Sequence, residues 1–173
     1  MSRRVVETTV MLAVFGMLVG CSGSDGKKAY TVPAELCGVS VDPDLISPFL
    51  PSGKEVGVRG THPVPGRRLC RVDVDGKWAL TANQEWWEEN VSIATVASGN
   101  PQLGSAEMSD DGTSLYSGTG AVTRIKDCHN PDHSQHVLYT SFGVRASDLA
   151  DTAAMKKLAA AYTKAVEKSD ECS

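Results

Sequence analysis

The sequence predicts an α+β domain: an antiparallel β-sheet with helices mainly on one face and a long C-terminal helix. Three observations carry that prediction. Residues 69–82 read as a strand, the turn Asp75-Gly76 and a second strand. Residues 136–145 form a β-branched and aromatic run long enough to lie centrally in a sheet. The last segment repeats apolar residues at three- and four-residue intervals, the period of a helix. Strands flanked by short helices and one long terminal helix are the pattern of helices segregated onto an antiparallel sheet.

The chain opens on a leader. Arg3 and Arg4 precede the apolar run from Val10 to Val19, whose ten residues suit a signal-peptide core. A membrane-spanning helix needs roughly 20. The run ends in Leu18-Val19-Gly20-Cys21, a lipobox. This pattern predicts removal of residues 1–20 and attachment of a lipid to the Cys21 thiol. Two acyl chains anchor stably where one chain is marginal. Residues 21–30, polar and glycine-rich after the cysteine, are expected to be a flexible tether. Residues 31–173 then form one domain, a size that supports a core of its own.

Charge narrows the partners. Losing Arg3, Arg4 and Glu7 with the leader leaves 15 basic and 20 acidic residues, a net of about −5. No basic run exceeds two residues, which argues against nucleic acid and against a polybasic lipid patch. The expected partners are the membrane, through the anchor, and an envelope protein or small ligand. No cofactor is expected. With Cys21 assigned to lipid, Cys37, Cys70, Cys128 and Cys172 remain, and four thiols in an exported domain imply two disulfides. Three connectivities are open, and Cys37–Cys70 with Cys128–Cys172 is the favoured one. It staples the leading segment to the first strand and the last helix back to the sheet.

Within the domain, residues 33–38 suggest a short helical turn started by proline and stopped by glycine. Asp42 is placed to cap a second short helix with Pro43 at its first position and Ile46, Phe49 and Leu50 inward. Residues 57–66 hold two prolines and three glycines and read as a loop, with a short strand near residues 54–58. Asp75-Gly76 between alternating runs favours a type I′ hairpin. Residues 85–89 are ambiguous between strand end and helix, and residues 91–97 between a weak strand and part of a helix. Residues 98–113 read as a mobile connection. Strands are expected over 121–127 and 136–145, joined by a polar turn. Asp148 or Asp151 caps a final helix of about twenty residues with Ala154, Leu158, Ala161, Tyr162, Ala165 and Val166 on one face.

The lipobox, the Val-Pro-Ala-Glu-Leu-Cys37-Gly stretch, Phe49-Leu-Pro-Ser-Gly53, Cys70-Arg-Val-Asp-Val-Asp-Gly76 and the closing segment to Cys172 together resemble a group of small actinobacterial secreted lipoproteins. The resemblance covers nearly the whole mature chain. It implies an extracytoplasmic protein lipid-anchored to the outer face of the cell membrane and a sheet-and-helix fold similar to the PsbP/Mog1 type. It implies no activity.

Three clusters are candidate sites. His129, His133 and His136, with Asp132 between them, are candidate ligands for zinc, copper or nickel, since neutral imidazole suits each. Asn130-Pro131 argues against the helix that would align the first two, and a histidine-bearing surface turn is the commoner arrangement. Trp78, Trp86 and Trp87 make a second candidate, with the adjacent Trp86 and Trp87 as ligand or partner contacts able to stack on a sugar ring and donate through the indole N–H. The plainer alternative puts one in the core and its neighbour beneath the 98–113 segment. Glu85, Glu88 and Glu89 offer carboxylates, but no catalytic motif accompanies them. The expectation is a non-catalytic binding or accessory module of the envelope, with a metal-binding or metal-delivery lipoprotein as the alternative.

Overall fold

In a computed structural model, residues 27–173 are described. Cys21, the leader and most of the tether lie outside that range. The centre of the fold is a seven-stranded, wholly antiparallel sheet. It follows a two-stranded ribbon, β1 (Glu35–Leu36) and β2 (Val39–Ser40). The sheet strands are β3 (Val56–Val64), β4 (Arg67–Val74), β5 (Lys77–Glu88), β6 (Glu107–Met108), β7 (Ser114–Tyr116), β8 (Gly120–Arg124) and β9 (His136–Val144). Their order is β3-β4-β5-β9-β8-β7-β6. Two meanders, 3-4-5 and 6-7-8-9, therefore join where β5 lies beside β9.

Alternation along the central strands defines two unequal faces. Leu80, Ala82 and Trp86 of β5 and Leu138, Phe142 and Val144 of β9 point into the main core. That core is closed by α3 (Thr152–Val166), whose Met155, Leu158, Tyr162 and Val166 are buried. Asp151 caps this helix by accepting the Ala154 N–H at 2.9 Å. The helix has 15 residues rather than about twenty, because the chain leaves it after Val166 and closes in a short 3-10 turn at Asp170–Cys172. On the same side α1 (Pro43–Ile46) begins at the Asp42 cap, as the Asp-Pro pair predicts, and buries Ile46, Phe49 and Leu50. The other face carries a smaller core of Val96, Leu103, Val122 and Tyr139 beneath α2 (Ile93–Ser98). Helices thus lie mainly on one face, with α2 the exception.

The Asp75-Gly76 hairpin forms as expected, with φ of 49° and 72° at its two central residues. Two expectations are corrected, one open choice is resolved, and the 98–113 segment carries more structure than its composition suggests. Residues 33–38 are not a helical turn: Cys37 and Gly38 both adopt positive φ and reverse the β1–β2 ribbon. The glycine- and proline-rich stretch 57–66 is mostly strand, because β4 offers it a partner from Val56↔Val74 to Val64↔Arg67, and the register irregularity between Thr61 and Val64 accommodates Pro63. Residues 85–88 continue β5, whereas 93–98 are helical behind a Ser92 cap. The 98–113 segment is anchored at its far end, where Asp111 accepts hydrogen bonds from Ser109, Thr113 and Lys126.

Both disulfides are present, Cys37–Cys70 and Cys128–Cys172. The chain engages the domain already at Lys28, whose Nζ donates to Ser47 Oγ at 2.9 Å and whose backbone bridges Gly53. Replacing Cys128 and Cys172 together by Ala opens a loop with a sequence separation of 44. The expected cost is up to about 4 kcal/mol, measured as a loss of unfolding free energy in urea.

Candidate functional site

The face of the sheet opposite α3 is covered only in part. Over β8 and β9 it lies under α2; over β4 and β5 it forms the floor of a groove of about 390 Å³. The floor is built by alternation. Thr81, Asn83, Glu85 and Trp87 of β5 share this face, with Trp78 beyond the register shift near the hairpin. Across the ladder, Arg67 stands opposite Glu85 and Leu69 opposite Asn83 on β4, while Ser141 stands opposite Asn83 on β9.

The wall is the end of α2 and the turn after it, Gly99 to Gln102. This turn is held tightly against the sheet. Asn100 Nδ2 donates to the Phe142 carbonyl at 2.7 Å, and Thr119 Oγ1 donates to the Gln102 carbonyl at 2.6 Å. A side chain at Gly120 would come within 2.8 Å of the Leu103 backbone, so only glycine permits the approach.

Polar groups in the groove are incompletely matched. Five buried side-chain N or O atoms among the described residues find no hydrogen-bond partner. Four of them, Arg67 Nε, Trp78 Nε1, Asn83 Oδ1 and Trp87 Nε1, belong to groove residues. Asn83 uses its Nδ2 on Ser141 Oγ at 3.1 Å, and Arg67 Nε lies 3.8 Å from Glu85 Oε2, within ion-pair range and beyond a hydrogen bond. Each buried orphan costs about 1–3 kcal/mol. Their concentration in one concave surface marks it as the part of the fold least optimised for its own stability.

A second cleft, about 250 Å³, opens on the α3 side among Gly60, Cys70, Ala82, Gln84 and Tyr162. Gln84 is 5% exposed; its Nε2 donates to Tyr162 Oη at 2.9 Å and its Oε1 is the fifth orphan. Whichever way the amide is turned, one of its two ends is left over.

The structure separates the two tryptophans that the sequence sets side by side. Trp86 is a core residue: it stacks on His133 with ring centroids 4.5 Å apart, and its Nε1 donates to Glu171 Oε1 at 2.8 Å. Trp87 faces the groove. Trp78, nine positions away in sequence and part of the same candidate cluster, lines the same groove. Glu85 and Glu88 project to opposite faces of β5, so they do not form a carboxylate pair. The histidine turn keeps His129, His133 and His136 around one cleft of about 290 Å³. His133 lies against Trp86 and edge-on to His136, and no group of three His, Cys, Asp or Glu side chains among the described residues is placed to hold a metal ion. His129, His133 and His136 are thus not gathered as a ligand set.

No family model, curated protein or solved structure matches the chain. Among the described residues no helix is long and apolar enough to cross a membrane.

Burial of Tyr162 raises its hydroxyl pKa to about 12. The phenol therefore stabilises the fold fully below its ordinary pKa near 10. That contribution declines as pH rises through the folded value, because the unfolded chain releases the proton first. Urea unfolding across this alkaline window should show wild type losing stability more steeply than Tyr162→Phe, which has no such group to titrate.

Proposed function

We propose that this chain is a non-catalytic binding or accessory module of the cell envelope, lipid-anchored through Cys21 outside the cytoplasm, and that the groove over β4 and β5 takes its ligand. The observation that carries the binding reading is the groove itself: a walled concavity on a face that α3 leaves open, lined by the residues that carry four of the five orphaned polar atoms found among the described residues. Ligand sites are concave surfaces with a few convergent polar groups, and natural folds tolerate unsatisfied atoms chiefly where function uses them.

The two disulfides support an oxidising compartment, since such bonds rarely persist in a reducing cytosol. The lipobox supports the anchor. Seven residues separate Cys21 from Lys28, where the chain first pairs with the domain, a reach of at most roughly 25 Å. An anchored domain would stay close to the bilayer, with the Asp75-Gly76 turn at its tethered end, because Lys28 bridges Gly53 and the adjacent Lys54 and Glu55 amides donate to Asp75. The non-catalytic part rests on Glu85, the carboxylate of the groove, being engaged with Arg67 and having no second carboxylate opposite it.

Cys21→Ser should move the chain from the membrane fraction to the soluble fraction and remove the acyl mass from the intact protein; retention in the membrane would refute the anchor. For the binding reading, a hydrolysate of envelope material should raise the melting temperature of the mature chain, and Gln102→Ala should diminish that rise. Turnover of a hydrolysate component, lost in Glu85→Gln, would replace binding by catalysis.

A further inference from the structure

We infer that the open-face groove is a glycan site, taking a neutral, linear oligosaccharide laid along β5. The inference rests on the binding-module reading and names its ligand class. Four features of the groove lead to it.

The first is length. Trp78 and Trp87 stand at opposite ends of the groove, and nine residues of strand at about 3.3 Å each separate them by up to roughly 30 Å. A monosaccharide fills a fraction of that span, whereas an extended oligomer lies along it. The second is the pairing of aromatic and planar polar side chains. A pyranose presents a C–H face, which packs on an indole, and a rim of hydroxyls that both donate and accept. The groove answers with the half-buried Trp87 indole and the Gln102 amide. The orphaned indole N–H groups and Asn83 Oδ1 lie covered beneath its surface, and the Arg145 guanidinium sits over the Trp78 ring, 5.4 Å from its centroid.

The third feature is charge. Arg67 is matched by Glu85 directly opposite it, and no unmatched cationic cluster lines the floor. This disfavours phosphorylated or strongly acidic ligands and suits uncharged sugars. The fourth is backbone. The floor consists of β4, β5 and β9, whose main-chain groups are paired with one another in continuous ladders. An extended peptide is normally bound through a free sheet edge, where its own N–H and C=O groups find partners. On this closed floor those groups would be desolvated without such partners. A glycan brings no repeating main-chain amide that must be satisfied.

Binding of chitohexaose, cellohexaose and maltohexaose to the mature chain, by calorimetry and by indole fluorescence, tests the assignment. At least one hexaose should bind ten times more tightly than its monosaccharide and shift the indole emission. Gln102→Ala, on the wall, should weaken it at least fivefold at an unchanged melting temperature; Trp87→Ala should weaken it at least tenfold. Should Trp87→Ala fail to fold, the Gln102 variant decides alone. Absence of binding by all three hexaoses overturns the glycan assignment, and so does binding that survives Gln102→Ala at full strength. A neutral extended peptide that binds and is lost in Gln102→Ala also overturns it, while leaving the module reading intact. The hydrolysate-induced rise in melting temperature separates the two failures: if it persists without hexaose binding, only the ligand class was wrong.

Discussion

The structure depends on the antiparallel pairing of β5 with β9, from Leu80↔Val144 to Glu88↔His136. Their paired residues lie from 48 to 64 positions apart in sequence, and each strand belongs to a different meander. Neither meander has an equally long ladder of its own at that edge, so the pairing converts two small sheets into one surface wide enough for α3. It also fixes register. A slip of one residue would turn Leu80, Ala82, Trp86, Leu138 and Phe142 out to solvent and bring Thr81, Asn83, Glu85 and Ser141 into the core. The buried face specifies the register, and the groove inherits its composition from that choice.

Around this axis the β1–β2 ribbon and the final turn are fastened to the α3 side. Cys37–Cys70 holds the β1–β2 ribbon over β4, and Cys128–Cys172 holds the final turn beside the segment leading into β9. Glu171, next to the second bridge, receives Trp86 Nε1 on one carboxylate oxygen and lies 3.1 Å from Arg68 on the other. Its side chain is only 13% exposed, so losing either partner would leave a largely desolvated charge. The end of the chain is thereby coupled to β4 and β5, and the side of the sheet bearing α3 becomes the rigid side.

Local signals were legible in the sequence because their physics is local. Asp75-Gly76 needs positive φ at both positions, and few other pairs supply it. The Asp42-Pro43 start and the Asp151 cap follow from backbone donors that a nearby carboxylate can satisfy. What was not legible depended on partners distant in sequence. The stretch 57–66 looks like a loop in isolation, and its strand form is imposed by the β4 ladder. Trp86 and Trp87 read as a pair, yet strand alternation sends one to the core and the other to the groove. The sequence already allows one of them to fill the core and the other to lie beneath the 98–113 segment; which one does so follows only from residues 85–88 being strand. Trp78 stands on the same strand as Trp87, and the sharing of one groove shows only once β5 is seen to run unbroken from Lys77 to Glu88.

The groove is a consequence of unequal covering. The main core is covered by the 15-residue α3 together with the β1–β2 ribbon, α1 and the turn after it. On the other face the six-residue α2 packs over β7 and β8 and meets Tyr139 of β9. A longer α2 would have covered β4 and β5 as well, and the residues facing it would have needed to be apolar. Instead that face carries Thr81, Asn83, Glu85 and Arg67, chemistry suited to neither a packed core nor a fully solvated surface. The turn after α2 is pinned by Asn100, Thr119 and the bare Cα of Gly120, so the wall stands without the helix extending further. A short helix and a fixed turn leave a walled concavity on a sheet whose stability is secured from the opposite side. That division lets the orphaned indole and amide groups persist: α3 and the disulfides carry the fold, and the uncovered floor need not.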